Sequence, residues 1–95
     1  MKYYIYILEC KDSKSLYVSY TLDLKRTLQL HMDGLNPHTK NRLPVALVWV
    51  ALRYSKSEAI AFFDELKNLS HLKLKQFLYY SDTTTNGISK AYVTS

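Results

Sequence analysis

The sequence predicts an α+β fold, a three-stranded antiparallel sheet covered by helices in the order β-β-α-β-α-α. Three observations carry this expectation. Two short tyrosine-rich segments, YYIYILEC and LYVSY, flank the polar stretch KDSKS as the arms of a hairpin flank a loop. A second apolar, β-branched run, VALVWVALRY, stands alone between polar breaks. Segments with an apolar period near 3.6 follow the hairpin and that run, and the helices they form must bury their stripes on the sheet.

Each element has a local cause. The first strand spans residues 3–10 and the second residues 16–20; both are too short for typical helices and rich in aromatic and β-branched side chains. Thr21 is placed to cap a helix over residues 22–33, with Asp23 in its first turn near the positive end of the helix dipole. Gly34 ends that helix. Leu24, Leu28 and His31 share one stripe, with Thr27 at its edge, and the stripe faces the hairpin. The loop LNPHTKNRLP then carries His38, Lys40 and Arg42.

Residues 45–54 form the third strand, expected to be covered on both faces or to run through the middle of the sheet. Ser55 and Glu58 match a capping box for a helix whose apolar residues Ala59, Phe62, Phe63, Leu66 and Leu69 keep helical spacing. Ser70 caps a further short helix, HLKLKQFLYY. The domain is expected over residues 1–80, and the polar residues 81–95 read as a loosely held tail.

Composition narrows the function classes. A chain of 95 residues has room for one domain, and nine Tyr against two Gly suggest strands lining a half-wet surface. No run of about 18 apolar residues is present, so no membrane span is expected, and the N-terminus has no secretory pattern. The one cysteine, Cys10, reads as a packed strand-end residue, and a reducing, cytoplasmic setting is the default. Thirteen Lys and Arg against eight Asp and Glu leave a formal charge of +5, which favours anionic partners such as nucleic acid. Nothing in the pattern assigns an oligomeric state.

The segments YIYIL and LYVSYT, about ten residues apart, resemble the two signatures of the GIY-YIG nuclease superfamily, and more closely its small single-domain branch. The likeness continues through TLDLKRTLQLHMDG, HTKNRLPVALVWV and SKSEAIAFFDELKNLS, and so covers about residues 3–78. The resemblance implies a metal-assisted phosphodiester hydrolase acting on DNA. It implies a tyrosine that serves as, or relays to, the general base, a helix arginine that stabilises charge on the phosphate, and a glutamate that binds one divalent cation.

Carried over residue by residue, the resemblance implies catalytic roles for Tyr6 (first motif), Tyr17 (second motif) and His31 (helix histidine). The arginine position one turn before that histidine holds Thr27, the glycine that closes the second motif is Ser19, and the metal-binding glutamate position holds Phe63. Arg26 lies about 100° around the helix from Thr27, and Asp64 and Glu65 lie roughly 100° and 200° from Phe63, so none replaces the missing group without a shifted helix. Losing one preorganised donor costs about 10²–10³ in rate, so impaired catalysis is the expectation. No metal ligands and no cofactor are assigned; an active form would need Mg²⁺ or Mn²⁺.

Blander readings stand beside these. Tyr6 and Tyr17 also suit cross-strand packing, and His31 suits a satisfied, half-buried histidine. Lys25, Arg26, Lys40 and Arg42 read either as a solvated surface or as a rim that contacts phosphates. Three functions follow. The first is an impaired nuclease-fold domain that binds nucleic acid, and it is preferred. The second is an active endonuclease with a rearranged site using His38, Asp64 or Glu65. The third is an interaction or structural domain that keeps only the fold.

Overall fold

The computed structural model describes residues 1–11 and 15–81. Its elements are β1 (Tyr3–Cys10), β2 (Ser15–Thr21), α1 (Leu24–Met32), β3 (Val45–Arg53), α2 (Lys56–Lys67) and α3 (His71–Ser81). The expected α+β order is therefore present, and the sheet is antiparallel throughout, in the order β2-β1-β3. The polar tail expected over residues 81–95 lies outside the described residues, except for Ser81 at the end of α3.

The period-two pattern of β1 explains why the sheet is buried on both sides. Tyr6, Leu8 and Cys10 join Leu28, Val45 and Leu47 in a cluster under α1. Ile5 and Ile7 point the other way and pack with Trp49, Ala59, Leu66 and Leu74 under α2 and α3. Because β1 takes the centre, β3 is an edge strand and not the middle one. Its apolar run is still accounted for, since Val45 and Leu47 serve one cluster and Trp49 the other. Between Ile7 and Leu8 the pairing register of β1 with β3 slips, because Trp49 and Leu47 are their partners and Val48 is the extra residue. Trp49 then meets Phe62 and Phe77 edge-on at centroid distances of 5.6 and 5.1 Å, which anchors both later helices to the sheet.

The start of α1 corrects the sequence reading. Thr21 is not the cap. It pairs opposite Tyr4 as the last residue of β2, and its extended backbone continues the ladder. Asp23 caps the helix instead, its carboxylate accepting the Arg26 amide at 3.1 Å. Thr21 Oγ1 accepts the Asp23 amide at 3.1 Å and bonds Thr27 Oγ1 at 2.7 Å, which ties the strand end to the helix. At the other end the Gly34 amide donates to His31 O and the Leu35 amide to Leu30 O, the two bonds of a Schellman ending. Ser55 Oγ accepts the Glu58 amide at 3.2 Å and Ser70 Oγ the Lys73 amide at 3.2 Å, so both later caps are as expected. Cys10 is a free thiol, fully buried at the end of β1.

Gly34 has φ +74°, the left-handed region that a Cβ disfavours. Gly34→Ala should therefore lower unfolding stability by about 1 kcal/mol in a urea titration, while Gly34→Asn recovers part of that loss.

Candidate nucleic-acid interface

The site grows from one strand face and one helix face. Tyr6 on β1 and Tyr17 on β2 lie on the side of the sheet that α1 covers, and the apolar spacing of α1 turns His31 inward beside Leu28. The three rings meet, with centroids 6.5 Å apart for Tyr6 and Tyr17, 5.8 Å for Tyr6 and His31, and 5.4 Å for Tyr17 and His31. All three residues singled out from the sequence are thus brought together.

Both His31 nitrogens are engaged. Nε2 bonds Tyr6 Oη at 3.0 Å, and Nδ1 bonds Thr39 Oγ1 at 2.7 Å. Tyr6 is 2% exposed, and His31 and Thr39 are fully buried. Burial pushes the Tyr6 phenol up to about 12, a rise opposed by a hydrogen bond with the Ser19 side chain and reinforced by Tyr17. Burial also holds His31 below its ordinary value, with His38 adding to the effect. Phenol and imidazole are therefore both neutral at pH 7.

The loop after α1 is fixed from within. Asn36 Oδ1 accepts the His38 amide at 2.8 Å, while Asn36 O accepts the Thr39 and Lys40 amides at 3.2 and 2.9 Å. Thr39 points inward to His31, and His38 folds over Tyr17, its ring stacked at 5.8 Å and 23°. Lys40 and Arg42 are exposed on the same loop. Lys25 and Arg26 are exposed too, but Lys25 lines a different groove, with Tyr4, Leu22 and Met32. The four basic residues named from the sequence therefore divide between the His38 loop and the first turn of α1.

Thr27 and Phe63 have partners of their own. Thr27 spends its hydroxyl on Thr21. Phe63 is half-buried against Tyr20, ring centroids 5.3 Å apart, with Lys67 Nζ 5.4 Å from its own centroid. A cleft of about 520 Å³ runs along the edge of β2, lined by Tyr17, Ser19, His38, Phe63, Lys67 and His71 together with apolar side chains. Among the described residues no carboxylate lines it. Asp64 and Glu65 are exposed and absent from its wall. Among the described residues no group of three His, Cys, Asp or Glu is placed to share a metal ion. Mg²⁺ and Mn²⁺ prefer oxygen donors, so imidazoles and an ammonium do not fit the cation that the family resemblance implies.

The sequence model of the GIY-YIG catalytic domain matches residues 2–75. This chain belongs to the GIY-YIG family. Its relatives place it among the UPF0213 proteins, the small single-domain members. It is 38% identical to a UPF0213 protein of Streptococcus pneumoniae serotype 4, over 81% of this chain and 78% of that one. It is 40% identical to UPF0213 protein BH0048 of Halalkalibacterium halodurans, over 82% and 83%. The solution NMR structure of the UPF0213 protein BH0048 from Bacillus halodurans superposes with a TM-score of 0.58 at 36% identity, covering 94% of this chain and 99% of that one. The GIY-YIG resemblance seen in the two tyrosine motifs is thereby established, and so is the fold. Among the described residues no helix is long and apolar enough to cross a membrane.

Sequence reasoning missed Thr39, Lys67 and His71. Thr39 sits in a loop with no periodicity to mark it as buried. Lys67 ends α2 and His71 begins α3, and nothing in their spacing marks them as lining a cleft.

The lowered His31 sets a pH dependence. The unfolded chain takes up the proton near 6.5, the folded chain only at lower pH, so stability is full above that value and falls as pH drops below it. The melting temperature should therefore be lower at about pH 5 than at about pH 7.5, and His31→Gln should flatten that difference in a calorimetric series.

Proposed function

We propose that this protein is a catalytically impaired nuclease-fold domain that binds nucleic acid weakly through a basic rim. The observation that carries the reading is the pair Thr27 and Phe63: a hydroxyl bonded to its own strand and an aromatic ring packed on Tyr20 stand where the family resemblance implies a cation and a metal ligand. The neutral Tyr6–His31 pair can still position groups, but Thr27 offers no cation to a phosphate and, among the described residues, no carboxylate lines the neighbouring cleft to hold a metal. Lys40 and Arg42, exposed beside His38, remain available to phosphates, and Lys25 and Arg26 extend the positive surface along α1. The net charge of +5 supports the same partner. The free, buried Cys10 is in keeping with a reducing, cytoplasmic setting.

Supercoiled DNA incubated with Mg²⁺ or Mn²⁺ should show no nicking above a Tyr17→Phe control. Metal-dependent nicking that disappears in that control would establish a rearranged active site instead. Thr27→Arg alone should change little, whereas Thr27→Arg with Phe63→Glu is expected to restore measurable cleavage if the double variant remains folded by circular dichroism.

Duplex DNA should bind with Kd in the range of about 10⁻⁴–10⁻⁶ M at physiological salt. With about three or four phosphates contacted, log K against log salt should slope by roughly −3 to −4 in fluorescence anisotropy. Replacing Lys40 and Arg42 by Ala should flatten the slope by about two units and leave the melting temperature nearly unchanged. A slope untouched by that change would favour an interaction domain.

A further inference from the structure

The cleft beside β2 has a chemistry of its own. Its wall combines the flat rings of Tyr17, His38 and Phe63 with the ammonium of Lys67, and among the described residues no carboxylate lines it. Its volume of about 520 Å³ falls within the roughly 300–1,000 Å³ typical of small-ligand sites. The Tyr17–His38 pair is already a short stack, with planes 23° apart. His38 is the exposed member, and its ring has no second aromatic partner among the described residues. A further flat ring laid on His38 would lengthen the stack.

We propose that this cleft receives an unpaired nucleobase, so that the preferred ligand is single-stranded nucleic acid, one base continuing the Tyr17–His38 stack while its phosphates meet Lys67, Lys40 and Arg42. The proposal rests on the nucleic-acid reading above and specifies its ligand. The π-faces of a duplex are consumed by its own stacking, whereas a single strand offers both a base face and a flexible backbone. Charge agrees, because Lys67 lines the cleft and Lys40 and Arg42 are exposed on the loop that carries His38. Phe63 has a place in this scheme: it supplies an aromatic wall where a carboxylate would repel the phosphates.

The test compares anisotropy of a short, labelled, mixed-sequence DNA strand with that of the same strand annealed to its complement, at one salt concentration. The single strand should bind about 10-fold tighter or more, as expected for stacking of a base on an aromatic side chain. His38→Ala should remove most of that preference and His38→Tyr should keep it, because the role requires a ring and not an imidazole. An otherwise identical strand with abasic positions should bind no better than duplex. Equal affinity for strand and duplex, or a preference that survives both His38→Ala and the abasic strand, would overturn the proposal while leaving the basic rim standing. Absence of binding to either form at low salt would overturn both.

Discussion

One buried relay, Tyr6 Oη to His31 Nε2 and His31 Nδ1 to Thr39 Oγ1, holds together three parts of the chain. It links the central strand, the helix on its face and the loop that follows. In a dry interior an unsatisfied polar group costs about 1–3 kcal/mol, so each member of the relay is tolerable only when the other two are in place. The relay thereby fixes the rotation of α1 on the sheet. It also pins the loop at Thr39, which leaves His38 over Tyr17 and turns Lys40 and Arg42 to solvent.

Around that fixed centre several side chains of the site are engaged in packing. Tyr20, Phe63 and Lys67 form a continuous surface beside Tyr17, and Thr27 closes a hydroxyl pair with Thr21. The two hydrophobic clusters rest on Ile5, Ile7 and Trp49 on one face, with Phe63 packed against them, and on Leu8, Leu28 and Leu47 on the other. The scaffold is secured by apolar burial and the relay, and a fold so secured does not dictate the chemistry of its site, so the two are separable. The proposed binding without cleavage rests on a cleft that, among the described residues, has no carboxylate in its wall.

The strands were legible because β-branched and aromatic residues alternate over segments too short for helices, and the helices because Ser55, Ser70 and Gly34 punctuate them. Tyr6, Tyr17 and His31 were legible as a group because the resemblance to the GIY-YIG motifs marks all three, and helical spacing turns His31 toward the hairpin. Thr21 misled, since a threonine at a strand end can serve the ladder and the following turn at once, leaving the cap to Asp23. The position of β3 was ambiguous because a run buried on both faces looks the same at an edge as at the centre when helices cover each side. Thr39 carried no signal at all: its burial is decided by a loop conformation that Asn36 sets from three residues away.

The most direct measurement is an NMR titration of isotopically labelled protein with a short oligonucleotide in the presence of Mg²⁺, following backbone amides and histidine side chains together with the integrity of the strand. The account predicts salt-sensitive shifts concentrated at His38, Lys40, Arg42 and Lys67, an unchanged His31 environment, and an oligonucleotide that is intact when the titration ends. Shifts confined to the opposite flank of the molecule, or a strand cut during the titration, would contradict it.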